Sequence, residues 1–256
     1  MYRAVFFDID GTLISKKDLS IPNSLKEALR LLKANGIYIG IATGRHTFEI
    51  ESENLLQDLE FDFYVTLNGQ LCFENNQLVY QQAIAKEDVE TLLDISDKHQ
   101  IPLLLIEQND MYLNMCNDDV IMAQASIHTL VPPIKEVDCN HQFYQICAYL
   151  KPEDLHLFQN LQHTTITQWH SAAYDLISDQ GCKTEGIEAV LKPYGISLDE
   201  VICFGDGDND ADMLSQCGLG IAMGVASEKA RDAANESCDT VENDGIYKAL
   251  KKHHMI

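Results

Sequence analysis

Short apolar runs rich in β-forming residues alternate along this chain with amphipathic helical segments, and several of the runs end in a cluster of polar residues. AVFFD (4–8) has the composition of a buried strand, and IPNSLKEALRLLKANG (21–36) follows with Leu25, Leu29 and Leu32 at helical spacing and Gly36 as a stop. IYIGIATG (37–44) is a second strand, FEIESENLLQDL (48–59) a helix and FYVTLNG (63–69) a third strand. Strands separated by helices join through right-handed crossovers, which gives a largely parallel sheet. LCFENNQLVYQQ (71–82) reads as a hairpin turning at Asn75 and Asn76. After Ser178 the same alternation returns: CKTEGIEAVLKPYG (182–195), NDADMLSQCG (209–218), SEKARDAAN (227–235) and GIYKALKKHH (245–254) are helical, VICFGDG (201–207) and LGIAMG (219–224) extended.

The middle of the chain follows another pattern. KEDVETLLDISDKHQ (86–100), DDVIMAQASIHTL (118–130) and KPEDLHLFQNLQ (151–162) read as helices. IPLLLIEQND (101–110), MYLNMCN (111–117), HQFYQICAYL (141–150), TTITQWHS (164–171) and AYDLIS (173–178) read as strands. Paired strands among helices mark an α+β unit. The expected fold class is α/β: a parallel-sheet core from residues 1–82 and 180–256, with an α+β domain, 83–179, inserted into it.

Ligands of open parallel sheets bind at the carboxyl ends of the strands. Four strand ends carry polar clusters: Asp8-Ile9-Asp10-Gly11-Thr12, Ala42-Thr43-Gly44-Arg45, Leu67-Asn68-Gly69, and Gly205 to Asp210. Lys183 opens the helix after the insertion and can reach the same crevice. Phosphoryl transfer to a carboxylate needs a cation between two anions. Magnesium prefers hard oxygens, which the Asp8 and Asp206 carboxylates and the Asp10 carbonyl supply. A carboxylate such as Asp8 can attack phosphorus covalently. Thr43, the Gly44 amide, Lys183 and Asn209 are donors for the phosphate oxygens. Asp10 shares a strand face with Asp8; turned toward the leaving group, it protonates the departing oxygen and then activates water.

Plainer readings compete at each position. Thr43 suits a turn or helix cap, Lys183 and Arg45 solvated surface cations, and Asn68 a turn. Unpaired charge at Asp8 and Asp10 beside a buried strand would be costly, which disfavours a purely structural role. Asp206, Asp208 and Asp210 also stand at positions 1, 3 and 5 of a calcium loop, but Ala211 and Cys217 replace the required Gly and Glu, which excludes it. Asp208 is expected to face solvent. His99, His128, His141, His156, His163 and His170 show no ligand spacing; Trp169 and His170 end a strand of the insertion and are candidate substrate contacts.

Asp plus Glu number 40 against 18 Lys plus Arg, a formal charge of −22. With no basic stripe to offset it, this charge argues against nucleic acid and anionic lipid as partners. The eight cysteines form no Cys-X-X-Cys and no zinc spacing. No apolar stretch approaches a membrane span and no signal peptide opens the chain, so a cytoplasmic location is expected.

VFFDIDGTL, IATGR, the Lys183 helix and GDGDNDADML together resemble the four motifs of the haloacid dehalogenase-like hydrolase superfamily, and TLNGQ with the long insertion resembles its Cof-type (IIB) branch. The resemblance covers residues 2–80 and 180–250. It implies a Rossmann-like core with a mobile α/β cap, and a magnesium-dependent phosphatase acting through a phosphoaspartate on small phosphomonoesters such as sugar phosphates, pyridoxal phosphate or FMN. It further implies that Asp8 is nucleophile and metal ligand, Asp10 acid/base with its carbonyl on the metal, and Asp206 the third ligand, supported by Asp210. The Ile9 amide joins Thr43, Gly44, Lys183 and Asn209 at the phosphate; Arg45 and Asn68 are further candidates for the site. Two positions depart from the family pattern: Val225 stands where Asn is usual, and Thr184 where Gly is common. A phosphomutase or phosphotransferase using the same phosphoaspartate is the alternative, and a phosphorylatable signalling module a more distant one. The second Asp, at Asp10, argues against a dehalogenase.

Overall fold

The computed structural model describes residues 1–57, 59–127 and 129–256. From the amino terminus come β1 (Ala4–Phe7), α1 (Asn23–Ala34), β2 (Tyr38–Ala42), α2 (Thr47–Ser52), β3 (Phe63–Thr66), β4 (Leu71–Glu74) and β5 (Gln77–Gln81). Next are α3 (Lys86–His99), β6 (Leu103–Ile106), β7 (Met111–Leu113), α4 (Asp118–Ser126), β8 (Gln145–Tyr149), β9 (Thr164–His170) and β10 (Ala173–Ser178). The chain continues through α5 (Lys183–Leu191), β11 (Val201–Gly205), α6 (Ala211–Gln216), β12 (Leu219–Ala222), α7 (Glu228–Ala233), β13 (Glu236–Ser237) and α8 (Gly245–Lys252). It divides into two compact units, Met1–Tyr80 with Cys182–Ile256, and Gln81–Gly181.

In the first unit eight strands run in the order β13-β12-β11-β1-β2-β3-β4-β5. β1 lies between β11 and β2, parallel to both, and the parallel ladder extends to β3 on one side and β13 on the other. Burial on both faces explains the nearly continuous apolar strands. Val5 and Phe7 pack with Leu25, Leu29 and Leu32 of α1 and Leu250 of α8, while Ala4 and Phe6 pack with Ile187, Val190 and Leu191 of α5 and Met213 of α6. This is a Rossmann-like sheet covered by helices on two faces. β1 and β11 are adjacent parallel strands inside the sheet, so their carboxyl ends bring residues 8 and 206 together.

The second unit is a five-stranded antiparallel sheet, β7-β6-β8-β10-β9. Val89 and Leu92 of α3 and Phe158 cover the face carrying Leu103, Leu105, Ile146, Ala148, Tyr174 and Leu176. The match in core and insertion to the expected fold class is close, but several helices are shorter than their apolar periodicity suggests. The helix expected over 48–59 stops at Ser52, because Asn54 and Gln57 adopt left-handed backbone angles that let Leu55 and Leu56 turn into the core; Asp58 of that segment lies outside the described residues. The helix expected over 118–130 ends at Ser126, and His128 lies outside the described residues. Pro152–Phe158 forms a 3-10 segment rather than an α-helix, with only Phe158 buried, so little apolar packing favours a longer helix. Among the described residues no helix is long and apolar enough to cross a membrane.

Asp88 fastens the first turn of α3 to the start of β9. Its carboxylate is buried and accepts from the Gln162 and His163 amides at 3.0 and 2.8 Å and from Thr164 Oγ1 at 2.7 Å. Burial pushes its carboxyl upward, but these three donors outweigh burial and hold it below the ordinary value. A depressed folded value means stability that is present above the unfolded carboxylate value of about 3.9 and lost as pH falls through the folded one. Asp88→Asn, which puts an NH2 where donors converge, should destabilise this unit by about 1–3 kcal/mol at pH 7. Melting curves of the two proteins should converge as pH drops below 4; a gap independent of pH would contradict this account.

Candidate active site

The site is built on a lysine that helix energetics alone would not place there. Lys183 is the first residue of α5, where the helix dipole disfavours a cation, and it is 1% exposed. Its ammonium lies 2.9 Å from Asp8 Oδ1 and 2.5 Å from Asp210 Oδ1. Burial opposes its charge, but the two carboxylates more than offset this and hold its pKa above the ordinary lysine value. The approach of α5 depends on Gly69: at φ +95° it sits in a turn where a Cβ would lie 2.0 Å from the Cys182 carbonyl. Thr184, the departure from the family pattern, donates its amide and its hydroxyl to Asp212 Oδ2 at 3.0 and 2.9 Å, a side-chain anchor for the helix start.

Asp210 is fully buried and does double duty. Besides Lys183 it accepts the amides of Asp206 and Gly207, both at 2.8 Å, and so shapes the loop after β11. Asp208 is exposed, which separates it from its two neighbours in the motif. Asp8, Asp206 and Asp210 are the one cluster of three or more acidic, histidine or cysteine side chains among the described residues placed so that they could hold a metal, with one oxygen from each within 4.8 Å of the others. At such separations each pair of carboxylates repels by about 3 kcal/mol at an effective dielectric near 20. Burial pushes the Asp8 carboxyl upward, Lys183 pulls it down, and Asp210, Asp206 and Asp10 push it up again; the balance is upward. Burial likewise raises Asp206, against the pull of Lys16.

Nothing in the local pattern around Lys16 marks that lysine as part of the site. Lys16 opens the exposed stretch 16–20 and places Nζ 2.6 Å from Asp206 Oδ2. It passes Gly11, which has φ +91° and whose missing Cβ would fall 2.6 Å from both Lys16 Cε and Asp206 Oδ2. Glu49 and Glu53 were also missed, although Glu49 stands at i+4 from Arg45. Arg45 is 8% exposed, not a surface cation; Nε and Nη2 bind Asp10 Oδ2 and Oδ1, both at 2.9 Å, while Nη1 lies 3.6 and 3.5 Å from Glu49 and Glu53. The Asp10 carboxylate is thus held in a two-pronged pair with Arg45.

Thr43 is buried at the end of β2, and its Oγ1 accepts the Arg45 amide at 3.1 Å. Asn68, left-handed at φ 55°, donates its amide to the Thr43 carbonyl at 2.9 Å, and its Oδ1 accepts from Asn209 Nδ2 at 2.8 Å. Gly44 lies against this pair, since a Cβ there would come 3.3 Å from Asn68 Nδ2. Ile9 is buried, and its carbonyl accepts the Thr12, Leu13 and Ile14 amides, fixing the turn after Asp8. Val225 is 58% exposed. Trp169 and His170 are half-buried on β9 in the other unit.

The donor set suits a hard divalent cation: three carboxylates converge with one buried ammonium among them, and a lysine already rests on Asp206. The family model described as haloacid dehalogenase-like hydrolase matches residues 5–250. Among solved structures, the chain resembles the subclass IIB sugar phosphatase BT4131, at 31% identity and a TM-score of 0.86 over 99% of this chain and 100% of that one. It also resembles BT1666 of Bacteroides thetaiotaomicron, a phosphatase of the same superfamily, at 28% identity and a TM-score of 0.90 over 100% and 96%. Among characterised sequences, 5-amino-6-(5-phospho-D-ribitylamino)uracil phosphatase YitU of Bacillus subtilis is 26% identical over 98% of this chain and 97% of its own length.

Removing Asp210 halves the carboxylate pairing of a buried ammonium, leaving it to Asp8, and releases two amides. Asp210→Ala should lower stability by about 3–5 kcal/mol in urea titrations. A loss under 1 kcal/mol would show that Asp8 alone satisfies Lys183.

Proposed function

The chain belongs to the haloacid dehalogenase-like hydrolase family, as a phosphatase of its Cof-type branch, and we propose that it hydrolyses small phosphomonoesters through a phosphoaspartate on Asp8. The observation that carries this reading is the buried Asp8–Lys183–Asp210 arrangement at the junction of β1 and β11. Asp8 Oδ1 is held by Lys183, which orients the carboxylate for attack on phosphorus and keeps a cation beside the transferred group. Attack forms the acyl phosphate and breaks the bond to the ester oxygen, which Asp10 protonates. Asp10 then takes a proton from water, the water oxygen bonds to phosphorus, and Asp8 leaves as the carboxylate.

For that work Asp10 must release at least one of its bonds to Arg45. Arg45, held by Glu49 and Glu53 as well, is the fixed end of that pair and Asp10 the end that moves. Thr43, Gly44, Asn209, Lys183 and the Ile9 amide are assigned to the phosphate oxygens. Asn68 positions Asn209 and Gly44. Magnesium would be held by Asp8, Asp206 and the Asp10 carbonyl, with Asp210 ordering the loop that carries Asp206. When bound, it supplies positive charge that reduces repulsion between the carboxylates and the phosphate.

The inserted unit, expected over 83–179, is the element assigned to substrate choice. Named activities of two similar proteins, a sugar phosphatase and a phosphoribitylamino-uracil phosphatase, favour a small polyhydroxylated ester over a macromolecule. Sugar phosphates and cofactor phosphates such as FMN or pyridoxal phosphate form the panel to try.

Phosphate release from that panel should require magnesium, stop in EDTA and fall at least about 10³-fold in Asp8→Asn. Asp10→Asn should slow turnover by about 10²–10⁴-fold. Full activity of Asp8→Asn, or transfer to a sugar hydroxyl in preference to water, would displace this reading.

A further inference from the structure

The three carboxylates of the site meet two ammonium groups of different character. Lys183 is enclosed between Asp8 and Asp210 with its side chain fully buried, whereas the Lys16 side chain is 59% exposed and ends on an Asp206 carboxylate that is 3% exposed. Lys16 belongs to the loop between Thr12 and α1, where Lys16, Lys17, Asp18, Leu19 and Ser20 are all exposed, so its side chain borders solvent as that of Lys183 does not. The charges differ accordingly: three carboxylates with Lys183 leave two negative charges, and Lys16 neutralises one of them. A divalent cation neutralises both. Gly11 is what lets the stem of Lys16 reach Asp206, since any Cβ there would collide with both.

We infer that Lys16 is a built-in counter-cation that competes with the divalent metal for the Asp206 carboxylate, keeping the acidic cluster stable without metal and yielding Asp206 when metal binds. The inference rests on the metal site proposed above. It makes Lys16 a determinant of metal affinity rather than a group that touches the substrate. Both cations are drawn to the same buried carboxylate and repel each other across it; Lys183 beside Asp8 is enclosed and must stay, whereas Lys16 has solvent to withdraw into. Magnesium therefore binds at the expense of the Lys16–Asp206 pair, and its measured affinity is weakened by the stability of that pair. A pair with one partner half in solvent is a modest one, so the weakening is about three- to tenfold.

Lys17 is the internal control. It carries the same charge one residue away, but its Nζ pairs with Glu242 at 3.9 Å and not with the site. Calorimetric titration of magnesium into the metal-stripped full-length protein, with no substrate present, would compare wild type with Lys16→Met, Lys16→Gln and Lys17→Met. Both Lys16 variants should bind magnesium about three- to tenfold more tightly. They should also melt below wild type in EDTA and approach it in saturating magnesium, with Lys17→Met unchanged in both measurements. Unchanged or weaker binding by the Lys16 variants, or equal tightening in Lys17→Met, would overturn the inference while leaving the metal site standing. A wild-type protein that binds no magnesium would overturn both.

Discussion

The buried ammonium of Lys183 is the interaction on which the rest of the site depends. A lysine with no exposure at a helix start is unfavourable on grounds of both solvation and helix dipole, and only paired carboxylates make it tenable. Those carboxylates come from the end of β1 and the loop after β11, so one cation ties together three segments far apart in sequence. Asp210 extends the tie by accepting two amides of the loop that presents Asp206. Loss of the Asp210 carboxylate would leave Lys183 to Asp8 and take the acceptor from two amides at once.

Charge is distributed in the site against the character of the whole chain. A protein with a formal charge of −22 buries cations where its acidic groups are densest. Lys183, Arg45 and Lys16 each rest on a carboxylate that the proposed reaction uses: Asp8, Asp10 and Asp206. The three differ in freedom. Lys183 is enclosed, Arg45 is 8% exposed between Asp10 and two glutamates, and Lys16 is largely in solvent. That gradation separates a cation that must stay from cations whose pairings can be exchanged during a reaction cycle.

Much of this was legible in the chain. Runs of four or five apolar residues ending in Asp, Thr-Gly or Asn-Gly place the strands and the end of the sheet where chemistry gathers, because strand burial and turn formation are set by local composition. Helix ends were less legible. The apolar spacing of 48–59 continues past Ser52, but Leu55 and Leu56 are buried through left-handed turns at Asn54 and Gln57, a choice made by packing and not by periodicity. Lys16 left no trace in the pattern, since a lysine in an exposed loop is the commonest of surface residues.

Spacing within short windows already places the strands and most of the helices along the chain, marks the change of pattern at the insertion, and puts polar residues at four strand ends. Which of those polar groups become partners is settled by long-range packing. That Asp210 pairs with Lys183, that Asp10 is engaged by Arg45, and that Asp206 is met by Lys16 all depend on segments up to 190 residues apart. Contacts at that range arise from the parallel register of β1 with β11 and β2, which no local pattern encodes.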